Sequence, residues 1–171
     1  MSKGLYCVAV AAMAATAANA QQHNPVAGTW TMVYANDERA EGPALPLFGS
    51  HPSGLLMFDD AGNYSLQICA SGRPKFAAAD RLLGTANEYR AAASACNTHW
   101  GHYVVNESER TIVFKIEHAL FPNWEGTEQT RPFRLLNGLL EYQVPTPATA
   151  AQNPVVVWKR VTDDGRSVDR R

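Results

Sequence analysis

Apolar residues fall at every second position through most of the chain between Gly28 and Arg160, a period that belongs to half-buried strands. Eight such runs are present: GTWTMVYA, GLLMFD, NYSLQICA, THWGHYVV, RTIVFKIEH, TEQTRPFRLL, LLEYQV and PVVVWKRV. Short antiparallel strands at this spacing predict an all-β fold, a sandwich or a barrel. One helix is expected between the third and fourth strands. There TANEYRAAASA offers Thr85 as N-cap and Glu88 three residues on, a capping box that opens an alanine-rich run.

The Asn137-Gly138 pair is the preferred two-residue type I′ hairpin turn, and it sets a register. Leu136 should face Leu139, Leu135 face Leu140, Arg134 face Glu141, and Phe133 face Tyr142. The register tests itself, because Arg134 and Glu141 then form a cross-strand ion pair while Phe133, Leu135, Leu140, Tyr142 and Val144 share the opposite, apolar face. By the same period Gln129 and Arg131 also lie on that apolar face. In the preceding strand Ile112, Phe114, Ile116 and His118 form one row, so His118 is expected to end an inward row near Gln129 and Arg131.

The first 20 residues carry one cation, Lys3, an Ala/Val-rich run and the small-x-small triplet Ala18-Asn19-Ala20, the pattern of a cleaved secretory signal. The run is too short and alanine-rich for a membrane span. A secreted or periplasmic soluble protein is expected, with a domain over residues 21–162 and a disordered tail over 163–171. About 150 residues remain, enough for one domain with a core.

Without Cys7, which lies in the signal, two cysteines are left: Cys69 and Cys96. In an oxidising compartment an even pair reads as a disulfide, which would stabilise by roughly 3 kcal/mol. Two buried thiols are the alternative.

Of 15 basic and 16 acidic residues only Lys3 lies in the signal, and the signs are interspersed. There is no clustered basic face for a nucleic acid. His99 and His102 are three apart on a strand, so they leave opposite faces and cannot clamp one ion; no metal site is expected. There is no P-loop, no G-x-G-x-x-G and no CxxC pair, so no cofactor is expected, and no G-x-S-x-G elbow places a nucleophile.

The ordered set GTW, GLLMFDDAGNYSLQI, GRPKF, NEYRAA, GHYVV, FPNWEGTEQTRPF and VVVWKR resembles the bacterial lipocalin-like domain family, over nearly all of the chain from Gly28 to Arg160. The resemblance implies an eight-stranded antiparallel calycin-type barrel in which Trp30 packs under a basic residue, a role Arg160 could fill. It implies little about chemistry.

Barrels of eight strands hold one small ligand or are filled by side chains. The inward set expected here is Trp30, Met32, Tyr34, Tyr64, Leu66, Ile68, Phe114, Ile116, Phe133, Leu135, Leu140, Tyr142 and Trp158. The expected function is binding of a small apolar or amphipathic molecule, with Arg131, Gln129, His118, Phe114, Phe133, Tyr142, Tyr64 and Trp124 as contacts and Arg131 holding a carboxylate. Trp124 reads as a lid or as a plug. Two other readings stand beside this one. A cofactor-independent isomerase or cyclase would use His118 as acid or base, and a filled structural barrel would hold no ligand.

Overall fold

In the computed structural model, which describes residues 24–162, the alternating runs become nine antiparallel strands: β1 (Gly28–Asp37), β2 (Leu45–Pro46), β3 (Ser53–Phe58), β4 (Asn63–Cys69), β5 (Cys96–Asn106), β6 (Thr111–Ala119), β7 (Glu128–Leu136), β8 (Leu139–Gln143) and β9 (Pro154–Arg160). The expected signal and tail lie outside the described residues. Neighbours pair in the order β2-β1-β3-β4-β5-β6-β7-β8-β9, and β1 also pairs with β9, which closes eight strands into a barrel without free edges. The two-residue β2 is an outlier clipped onto the end of β1, where Asn36 faces Pro46 and Asp37 faces Leu45.

This extra strand corrects the expected place of the helix. Helix α1 (Ala86–Ser94) lies after the fourth strand, not between the third and fourth, because β2 is too short to leave a period in the sequence. Its capping box is present, with the Glu88 N–H donating to Thr85 Oγ1 at 3.3 Å and the Thr85 N–H to Glu88 Oε2 at 2.7 Å. The helix has no buried residue. Among the described residues no helix is long and apolar enough to cross a membrane.

The hairpin forms in the expected register, Phe133 to Tyr142 through Leu136 to Leu139. Asn137 and Gly138 take φ of 52° and 75°, as a type I′ turn requires, and Arg134 Nη2 donates to Glu141 Oε2 at 2.8 Å. Cys69 and Cys96 are bonded where β4 meets β5.

Two β-bulges break the period. Met32 faces Trp158 but Tyr34 faces Val157, so one extra residue sits in β1. Beyond it the phase inverts: Ala35 and Asp37 are buried, while Tyr34, expected inside, lies on the outer surface near Glu141 and Arg134. Likewise Gly101 faces Ile116 but Trp100 faces His118, leaving Glu117 over in β6. A Cβ on Gly101 would stand 2.2 Å from the Lys115 carbonyl oxygen, so this bulge needs glycine opposite it. Leu135 also departs from expectation: it is 37% exposed because the end of the β7–β8 hairpin reaches past the core.

One end of the barrel is shut. The Arg160 guanidinium lies 4.1 Å from the Trp30 ring centre and donates to the Ala27 and Pro25 carbonyls, fastening residues 24–27 across that end. Trp30 Nε1 donates to the Val26 carbonyl at 2.9 Å. The role implied for Arg160 is thus filled. Above this floor Trp30, Leu56, Phe58, Leu66, Ile112 and Phe114 pack as solid core.

Candidate functional site

Toward the other end the barrel is hollow. A cavity of about 460 Å³ opens there, with Ile68, Trp124, Arg131 and Val156 among the strand and turn residues that line it. Its rim comes from the segment around Leu47 and Phe48 and from the loop 146–151. That loop is held by Asp37, a buried carboxylate that accepts the N–H of Gln152 at 2.8 Å and of Asn153 at 2.7 Å. A chain segment with little secondary structure of its own is thereby fixed beside the opening.

Arg131 is the outstanding group. It enters from β7 opposite Ile112 and is 6% exposed, yet it touches the cavity. Its Nη2 donates to Gln129 Oε1, a neutral partner, and its guanidinium carbon lies 6.0 Å from the Tyr142 ring centre. The ion pairs among the described residues are His102 with Glu117, Lys115 with Glu128, His118 with Glu125, and Arg134 with Glu141, and none includes Arg131. Burial works against its charge, offset in part by the Tyr142 and Tyr64 hydroxyls. A guanidinium does not give up its proton in a protein, so its cationic field is directed at the cavity.

The groups behind it are buried and neutral. Burial pushes the Tyr142 hydroxyl up to about 12 despite the opposing influence of Arg131, and pushes the Tyr64 hydroxyl up as well. Tyr64 Oη lies 2.8 Å from His99 Nδ1. Burial, then the Arg131 charge, lowers His99 to about 3. His99 also meets the edge of Trp124 at 5.8 Å between ring centres. The Trp158 indole N–H, deep in the core, has no hydrogen-bond partner among the described residues.

The expected contacts therefore divide. Arg131 and Trp124 line the cavity, and Gln129 orients Arg131. Phe114, Tyr64 and Tyr142 are packed in the core below and do not line it. Phe133 lies elsewhere, beside two surface clefts with Arg134. His118 is a correction. The bulge in β6 turns it outward, where its side chain is 64% exposed, stacks near Trp100 at 5.0 Å and bonds Glu125 at 3.3 Å. It has no access to the interior, so the acid or base role considered for it in the barrel fails.

The inward histidine is His99. It shares a strand face with Gly101 and Tyr103, a row that could have identified it from sequence. Nothing in the sequence marked Asp37 or the loop 146–151 as parts of the site.

The 4'-hydroxy-3'-methoxypropiophenone carrier protein ppsC of Aspergillus oryzae is 24% identical to this chain over 106 residues, which are 57% of this chain and 96% of that protein. A crystal structure of a mutant of the fluorescent protein UnaG overlaps 81% of this chain and 97% of its own, with 15% identity and a TM-score of 0.36, too loose to bear on the site. The lipocalin-like domain model matches residues 27–161, essentially the whole barrel. The chain belongs to the lipocalin-like domain family.

Proposed function

We propose that this barrel is a carrier for a small, largely apolar molecule that bears one acidic group, a carboxylate or an ionisable phenol, and that it works outside the cytoplasm. The observation that carries this reading is Arg131: a buried cation with only neutral hydrogen-bond partners, bordering a largely apolar cavity of about 460 Å³. A ligand anion supplies the counter-charge the protein withholds. The relative from Aspergillus oryzae supports the class, since the cargo in its name is a small aromatic ketone with a phenolic hydroxyl. The disulfide, and the signal pattern in residues 1–20, support a secreted or periplasmic site of action.

The test is a binding titration of an aryl-alkyl carboxylic acid against its methyl ester, followed by intrinsic fluorescence. The acid should bind at least about tenfold tighter, as one charge-assisted contact provides, and Arg131→Met should abolish the difference. Equal binding of acid and ester by the unaltered protein overturns the reading. The place of action is checked by the intact mass of the protein from its own host, which should begin at Gln21.

A further inference from the structure

Between the bonded cysteines, residues 70–95 leave the barrel as a flap that is organised internally but contributes no buried helical residue. Its own small core is an edge-on pair, Phe76 and Tyr89, with ring centres 5.5 Å apart. The Tyr89 hydroxyl accepts the Gly84 N–H at 3.0 Å and donates to the Arg81 carbonyl at 3.0 Å. The Leu82 N–H donates to Asp80 Oδ1 at 2.8 Å and the Leu83 N–H to the Asp80 carbonyl at 3.2 Å. These bonds fix a turn whose two side chains face water: Leu82 is 74% and Leu83 70% exposed, the highest values among the large hydrophobic residues described.

The flap carries more cations than carboxylates: Arg73, Lys75, Arg81 and Arg90 against Asp80 and Glu88. Lys75, Arg81 and Arg90 adjoin Phe76, Leu82 and Tyr89 in sequence, and none is ion-paired among the described residues. The two carboxylates of the flap are engaged by the backbone, Asp80 with Leu82 and Glu88 with Thr85 and Ala77. An ordered pair of leucines backed by unpaired cations matches an apolar layer lying beneath a negative surface.

We propose that the flap is a docking tip for an anionic lipid bilayer, with Leu82 and Leu83 entering the headgroup boundary and Lys75, Arg81 and Arg90 held at the lipid phosphates. A second copy of the chain fits less well, because pairing two such tips brings like charges together. A protein partner fits less well too, since two leucines supply little of the area a stable interface buries. The proposal does not depend on the cavity or on its ligand, although Ser94 at the end of α1 borders the opening.

The experiment is flotation of the oxidised protein with vesicles of phosphatidylcholine, alone or with phosphatidylglycerol at about a quarter of the lipid. Protein should float with the mixed vesicles and stay behind with the neutral ones, and added salt should release it. The pair Leu82→Ser and Leu83→Ser should lower the bound fraction about tenfold or more, as should Lys75→Gln, Arg81→Gln and Arg90→Gln together. Circular dichroism should show both variants folded, because the altered side chains are exposed. The proposal fails if the protein floats with neither vesicle, if it floats equally with both, or if the leucine variant floats as the unaltered protein does. A concentration-dependent dimer that the leucine variant loses, without vesicle binding, also overturns it in favour of self-association.

Discussion

Tyr64 Oη and His99 Nδ1 stand 2.8 Å apart inside the barrel, joining two groups that burial holds neutral. Because His99 is lowered from 6.5 to about 3, the folded chain resists a proton that the unfolded chain accepts. The contribution to stability is therefore complete above about pH 6.5 and is lost as pH falls toward 3. The loss should run at about 1.4 kcal/mol per pH unit below that point. Urea unfolding at pH 7 and pH 5 should show the unaltered protein losing roughly 2 kcal/mol more than His99→Gln. Parallel losses in the two proteins would show that His99 is not the group responsible.

Arg131 separates binding from folding. Methionine has similar length and no charge to desolvate, so Arg131→Met should leave stability within about 1 kcal/mol or raise it. The same change should remove the preference for an acid over its ester. A loss of several kcal/mol in denaturant would instead make Arg131 a structural strut.

Gly101 permits the bulge in β6 that turns His118 out, while His99 keeps the inward phase of β5. A methyl group there meets the Lys115 carbonyl oxygen at 2.2 Å and the Glu117 nitrogen at 2.8 Å, both backbone atoms that cannot swing aside. Gly101→Ala should cost about 2 kcal/mol or more in thermal or urea unfolding. By contrast Leu135→Ser, at a partly exposed position, should cost about 1 kcal/mol or less.

The disulfide closes a loop of 27 residues across the neck of the flap. Replacing Cys69 and Cys96 together by serine should lower stability by about 3 kcal/mol, read from urea midpoints at fixed pH. The barrel strands should survive, because β4 and β5 pair from Cys69–Cys96 to Asn63–His102 along their whole shared length.

Trp124 is the only tryptophan among the residues lining the cavity; Trp30 and Trp158 are fully buried and Trp100 faces outward. Ligand entry should change the fluorescence of Trp124 alone. In Trp124→Phe the binding signal should vanish from fluorescence while calorimetry still registers binding.

The sequence was most legible where structure is local. The hairpin register followed from Asn137-Gly138 and the Arg134–Glu141 pair, and the helix cap from Thr85 and Glu88. Strand identity was also plain, because a period of two survives within each run. Phase was not, since each bulge adds one residue and inverts every position beyond it, which put Ala35 inside in place of Tyr34 and turned His118 out. The cavity was legible at Ile68, Trp124, Arg131 and Val144. Its rim depends on Asp37 meeting Gln152 and Asn153, more than a hundred residues away in the chain, a contact with no periodic signature.

The barrel stoppered by Arg160 and Trp30 opens at its far end, where Arg131 is buried inside the opening and the exposed Arg39 stands at its edge. On the carrier reading proposed above, cargo that seeks Arg131 goes in head first and leaves its greasy end toward the outside. A holder of that kind inspects the charged end of its passenger and leaves the length of the tail unmeasured, so a series of homologous acids should share one berth while an ester binds at least about tenfold more weakly.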